Sequence, residues 1–246
     1  SRAHWDRLSL SRPSAASCNS WARAGDTVTD LATFGSGGAE PYAHALLREH
    51  DTLFLHSVDG ARARIDVTRW TDDADAVDRA LLRRARGPVL DIGCGPGRMV
   101  KAAVQRGMKA LGVDVSPVAV EIVRAAGLPV HLGSIFDPIP HEGSWSTALL
   151  LDGNIGIGGD PAALLARCRA VLRGAGDVIV ETHSDPTRDT AYEGSLVGTD
   201  GHVSDTFPWA EVGRAALAAH AEDASLRVTQ GWAAGGRFFS RLVAVR

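Results

Sequence analysis

Cysteine is scarce in this 246-residue chain, occurring only at positions 18, 94 and 168. An odd number at wide spacings excludes a disulfide framework and a zinc site built from several thiolates. A reducing cytoplasm is the expected setting. Long apolar runs are also missing. None approaches the roughly 18 residues that a membrane-spanning helix requires, and Ser1 to Ser20 is polar, without the apolar core of an export signal. Positive charge is not in excess: 26 Lys and Arg stand against 29 Asp and Glu, a formal net charge of −3. Such a composition offers no basic face to nucleic acid. Lysine is rare beside arginine and alanine is abundant, as in a GC-rich bacterial genome. No metal-ligand cluster is visible in the sequence, so metal-independent chemistry is expected.

What is present is an ordinary globular composition, 45% apolar and 22% charged. The length suits one large α/β domain and is short for two. Residues 1–40 read as a loose tail, rich in Ser, Ala and Gly. Residues 41–70 read as a cap segment, with a short helix over Pro41 to Leu47 and a helix or strand over Leu53 to Val58. From residue 71 to 246 the pattern is regular. Thr71 reads as a helix cap followed by acidic residues, with Val77, Leu81 and Leu82 at helical spacing. Strands are expected at 89–92, 110–114, 129–132, 146–151, 177–180, 224–230 and 237–245. Helices are expected from Arg98 to Gly107, from Ser116 to Gly127, from Asp160 to near Gly174 and from Trp209 to Ala219. Strands alternating with helices indicate a three-layer, Rossmann-like sandwich around a mostly parallel seven-stranded sheet. Only Gly231 to Gly236 separates the last two strands, so they form an antiparallel hairpin.

The chemistry centres on Gly93-Cys94-Gly95-Pro96-Gly97. In an open parallel sheet, ligands bind beyond the carboxyl ends of the strands at the switch point. Here the glycines permit a tight turn and close approach of a ligand to the backbone, and the helix from Arg98 offers free N–H groups to an anion. A dinucleotide fingerprint would need its third glycine at position 98, where arginine stands. Asp91 also puts a carboxylate beside the loop, which suits an ammonium and a sulfonium better than a pyrophosphate. Asp114, 17 residues after Gly97 at the end of the next strand, is placed to accept hydrogen bonds from ribose hydroxyls. Ser116, not Asp114, reads as the cap of the following helix.

The run from Val89 to Arg98, together with Gly112-Val113-Asp114, resembles the class I S-adenosylmethionine-dependent methyltransferases, and the resemblance covers roughly residues 70–245. It implies that Gly93, Cys94, Gly95 and Gly97 line the methionine part of the cofactor, with Asp91 near its amino group. It further implies Asp114 on the ribose, Val115 on the adenine, and Ser134 or the Ile135 backbone at the adenine amino group. The end of the fourth strand, Leu151 to Asn154, would face the sulfonium and the incoming acceptor.

Methyl transfer is a displacement at an already activated carbon, so the protein mainly aligns the reacting groups. A base is needed only if the nucleophile must shed a proton. Asp152 and Asn154 are candidates to touch cofactor or acceptor. Asp152 and His183, each at a strand's carboxyl end, are the candidate catalytic residues, with His183 the base. The segment 184–207 reads as a long loop that walls the acceptor, bringing Tyr192 and His202. Tyr42, His56, Arg69 and Trp70 are candidates for the opposite wall. Cys94 and Cys168 read as packing residues. The expected activity is metal-independent methyl transfer to an O, N, S or C atom of a small molecule. A catalytically silent cofactor-binding protein of the same fold is the alternative.

Overall fold

The computed structural model describes Phe34, residues 41–48, 52–57, Gly60 and 62–245. The tail read over 1–40, apart from Phe34, and Cys18 lie outside the described residues.

The parallel sheet is built from β3 (Val89–Ile92), β4 (Ala110–Asp114), β5 (Val130–Leu132), β6 (Trp145–Leu150) and β7 (Leu172–Thr182). It is completed by β10 (Leu226–Ala234) and β11 (Arg237–Ala244). The order is β10-β11-β7-β6-β3-β4-β5. The pairs β3–β4, β4–β5, β3–β6 and β6–β7 are parallel, whereas β11 runs antiparallel to both β7 and β10. The expected hairpin is therefore present. Successive strands step outward from β3 in opposite directions, towards β4 and towards β6, so the switch point lies at the end of β3.

Both sheet faces are covered, which is why β3 and β6 are buried at every residue. Leu90, Ala148, Leu150 and Val178 pack on α6 (Pro161–Val171) and α7 (Leu217–Asp223). Val89, Leu149 and Ile179 pack on α3 (Ala76–Arg84) and α4 (Arg98–Gln105). The caps follow local chemistry. Ser116 caps α5 (Pro117–Ala125) through the Ala119 N–H, with proline in the first turn. Asp160 caps α6 through Ala163. The helix expected from Thr71 begins later: Asp75 and Asp78 form a reciprocal capping box on α3, while Thr71 ends a short turn, α2 (Thr68–Thr71).

A second sheet is antiparallel, in the order β2-β1-β8-β9. Here β1 is Thr52–Ser57, β2 Arg62–Asp66, β8 Asp189–Gly198 and β9 Phe207–Val212. The segment 184–207 is thus not a plain loop, and the helix expected over Trp209–Ala219 is corrected to a strand followed by α7. The Ala-rich stretch after Gly213 carries the helical pattern, whereas Phe207, Trp209, Ala210 and Val212 are large or β-favouring and buried. Their backbone groups are satisfied by β8, which is 189–198 and far from helical reach. Helix α1 (Pro41–Leu47), the second sheet and α5 share one apolar cluster that includes Leu46, Leu53, Ala119, Leu196 and Phe207. The 41–70 segment is therefore knit to β8 and β9 through β1.

A 3-10 turn, Asn154–Gly156, joins the two sheets at a close approach. A Cβ at Gly156 would collide with the Ala210 carbonyl oxygen and stand 2.8 Å from the Trp209 ring. We expect Gly156→Ala to destabilise the protein by about 3 kcal/mol, the upper part of the overpacking range, because a backbone atom cannot give way. Chemical denaturation checks this; a loss below about 1 kcal/mol would show that the two sheets separate easily.

Among the described residues, no helix is long and apolar enough to cross a membrane.

Candidate active site

At the carboxyl ends of β3, β4 and β6 lies a cavity of about 720 Å³, closed on its far side by the second sheet. Its floor is the loop after β3. The Gly93 and Cys94 N–H groups both donate to the Val113 carbonyl, at 2.8 and 3.1 Å, tying the loop to β4. Gly93 has φ +66°, and a Cβ there would meet the Asn154 amide nitrogen at 2.7 Å. The Asn154 side chain occupies that space, donating to the Ile92 and Gly93 carbonyls at 2.8 and 2.9 Å. Cys94 packs its sulfur against Gly112, and burial pushes its thiol pKa up.

Asp114 is 7% exposed and lines the cavity. It accepts the Gly95 N–H at 2.7 Å on one oxygen and the Ser116 N–H at 2.9 Å on the other. Each oxygen keeps a lone pair for a ligand. Burial raises its pKa, opposed by the backbone donors. Asp91, 4% exposed, lies deeper. Burial pushes its carboxyl up to about 7; Arg98 opposes this, and Asp152, Asp114 and Asp78 reinforce it.

Val115, Ser134 and Ile135 line the cavity near Asp114, and Tyr42, Arg69 and Trp70 line it from the cap segment. The Tyr42 hydroxyl lies 3.1 Å from where a Gly95 Cβ would stand, so this tyrosine sits over the glycine loop. His183 also lines the cavity, and its Nδ1 accepts the Asp185 N–H at 3.0 Å. A ring whose Nδ1 accepts carries its proton on Nε2.

Gly97, Tyr192, His202 and His56 do not reach the lining. Gly97 caps α4 in a left-handed conformation, φ +88°, against Val123. Tyr192 stands behind the wall, its hydroxyl donating to Glu211 at 3.2 Å. His202 pairs with exposed Asp200 at 3.2 Å, away from the cavity.

Sequence reasoning missed a charged network under the cavity. The Asp152 carboxylate is held by Arg69 Nε at 2.9 Å, by Arg98, and at 3.5 Å by Arg237. Arg98 also binds Asp78, and Arg237 binds Asp78 and Glu181. Arg98 could have been found from its place at the start of the helix after the glycine loop. Nothing local distinguishes Arg237. Among the described residues, no group of three or more His, Cys, Asp or Glu could hold a metal ion.

A parallel sheet with a C-terminal hairpin, a glycine loop after β3 and a carboxylate at the end of β4 defines the fold of class I methyltransferases. Residues 89–176 match the family model described as a methyltransferase domain. No curated protein sequence matches the chain. It is similar to the structure of an S-adenosylmethionine-dependent methyltransferase from Bacteroides fragilis in complex with S-adenosylhomocysteine. That match has 20% identity and a TM-score of 0.72, covering 88% of this chain and 99% of that one. It is also similar to the CcbJ methyltransferase from Streptomyces caelestis, at 15% identity and TM-score 0.56, covering 72% and 92%. A third is 1,6-didemethyltoxoflavin-N1-methyltransferase from Burkholderia thailandensis, with bound 1,6-didemethyltoxoflavin and S-adenosylhomocysteine. There identity is 17% and TM-score 0.53, covering 72% of this chain and 81% of that one. At these identities the likeness is one of fold.

Proposed function

We propose that the chain transfers a methyl group from S-adenosylmethionine to a small-molecule acceptor. The observation that carries this reading is the pair Asp91 and Asp114 flanking one glycine loop in one cavity. Two buried carboxylates there lower the cost of taking a cationic ligand out of water. Asp91 would take the cofactor's ammonium group and Asp114 its ribose hydroxyls. Gly95 leaves the backbone open to the methionine portion, with Tyr42 above it, while the absent side chain of Gly93 makes room for Asn154. Val115, Ser134 and Ile135 would receive the adenine. The cofactor supplies an activated methyl; the chain's own residues orient the partners and keep water out.

The acceptor would lie between the loop and the second sheet, against Leu55, Ile65, Trp70, Pro208 and Trp209, which line the cavity. This wall is mainly apolar and suits a small apolar or aromatic molecule; the Burkholderia protein likewise binds a small molecule beside S-adenosylhomocysteine. His183, which lines the cavity, would donate a hydrogen bond to it from Nε2. Service as a base would require loss of the Asp185 bond, so His183 orients the acceptor. Both oxygens of Asp152 are engaged by arginines, and its role is to hold the floor.

Calorimetric titration with S-adenosylhomocysteine and with NAD tests the cofactor. Saturable binding of the first alone is expected, and no binding of the sulfur compound would overturn the proposal. Transfer of label from the cofactor into a metabolite pool tests turnover.

The state of Asp91 gives a pH dependence. Only its ionised form attracts the cofactor's ammonium. Below about 7 the carboxyl is protonated, so affinity for S-adenosylmethionine should fall by up to about tenfold per pH unit. Between pH 7 and 8 it should level off. The same raised pKa gives the unliganded protein stability that is fully present below about 4 and lost as pH rises through 7. Titrations at pH 5.5, 6.5 and 7.5 check the first effect; equal dissociation constants would remove Asp91 from the ammonium site.

A further inference from the structure

Arg237 opens β11 and is outside the cavity lining. Its side chain is 10% exposed. Nε and one terminal nitrogen grip the two Glu181 oxygens at 2.7 and 2.6 Å, and the other terminal nitrogen reaches Asp78 at 2.6 Å. The guanidinium lies over the Phe239 ring, 4.9 Å from its centroid. A planar fork gripped from both sides fixes Glu181 in direction as well as place.

Glu181 has a second duty. The oxygen nearer Asp152 also accepts the Asp152 N–H at 2.9 Å. Asp152 has φ +53° and Gly153 φ +90°. Two consecutive left-handed residues make a tight turn that is uncommon when one carries a side chain, and it persists where the surroundings dictate it. The turn delivers Asn154, whose amide bridges the Ile92 and Gly93 carbonyls at the start of the glycine loop. Hydrogen bonds and backbone therefore run unbroken from Arg237 through Glu181, the 152–153 turn and Asn154 to Gly93.

We infer that Arg237 is a positioning residue for the cofactor site, setting the glycine loop through Glu181 and Asn154 without touching the ligand. The inference rests on the reading of this cavity as the S-adenosylmethionine site. It assigns the C-terminal hairpin a part in cofactor affinity as well as in closing the sheet.

Arg237→Lys keeps a charge and loses the two-point grip. The full chain and this variant are compared by circular dichroism, thermal unfolding and titration with S-adenosylhomocysteine. The variant should stay folded and bind at least tenfold more weakly. Asn154→Ala should weaken binding similarly, and the double variant should be no weaker than the weaker single one. Arg237 and Asn154 share no hydrogen bond or ion pair, and residues so separated ordinarily give additive effects, so non-additivity reports the relay. A lowered melting temperature with unchanged affinity would mean a merely structural arginine and overturns the inference, as does full additivity. If Arg237→Lys does not fold, the isosteric Glu181→Gln takes its place in the same cycle, with the same outcomes. Absence of binding by the unaltered protein overturns the cofactor reading and this inference with it; binding by all forms alike overturns this inference alone.

Discussion

Replacing Asp114 with alanine should weaken binding of S-adenosylhomocysteine about a hundredfold. On the proposed cofactor reading Asp114 makes two charge-assisted hydrogen bonds to ribose hydroxyls, worth about 1.5 kcal/mol each at the low end of their range, and about 1.4 kcal/mol is a factor of ten in affinity. The structure enlarges the effect, because Asp114 also accepts the Gly95 N–H at 2.7 Å. The substitution would therefore loosen the loop as well as remove the proposed ribose anchor. Asp114→Asn separates the two contributions. Its amide keeps one oxygen that can accept from Gly95 or from Ser116, but not both, and cannot offer a charged acceptor to the ribose. An intermediate loss is expected. Calorimetric titration reads both variants, and a loss below tenfold for Asp114→Ala would remove this residue from the ribose site.

Arg98→Met should cost the largest share of folding stability of any single change considered, about 3–5 kcal/mol. Arg98 is 7% exposed and stands between Asp78, at 1% exposure, and Asp152, with Asp91 beside it. Breaking a buried ion pair by removing one partner strands the other charge, and here three carboxylates lose a common neighbour. Arg237 still reaches Asp78, at 2.6 Å, which keeps the loss from exceeding that range. Urea unfolding measures it, and a change under about 1 kcal/mol would show that water replaces the guanidinium. A second reading comes from pH. Arg98 is the charge that holds the Asp91 carboxyl down to about 7. Without it the pH at which cofactor binding sets in should move upward.

Much of the core was legible because it is local. The strand Val89–Ile92, the glycine turn, the Ser116 and Asp160 caps and the short Gly231–Gly236 link each depend on residues within a few positions of one another. Two errors have physical causes. Thr71 looked like a cap because a hydroxyl preceded acidic residues, but Asp75 and Asp78 satisfy each other's backbone N–H groups more completely. Ala215 to Ala219 lent its helical character to Trp209, whose strand exists only because β8 supplies partners from 189–198. The second sheet was invisible for the same reason. Its strands come from 52–66 and 189–212, and no local pattern says that they meet.

The same division runs through the site. The sequence by itself determined the glycine loop, Asp91 and Asp114, because a strand, a turn and a helix start fix their relative places within about one βα unit. Only the tertiary structure decided that Tyr42 sits over Gly95, that His183 presents a donor, and that His202 stays outside. It alone brought Arg237 to Glu181 across 56 positions and to Asp78 across 159. Backbone-borne features follow from neighbours in the chain. Charged side chains find their partners by burial, and burial is a property of the packed whole.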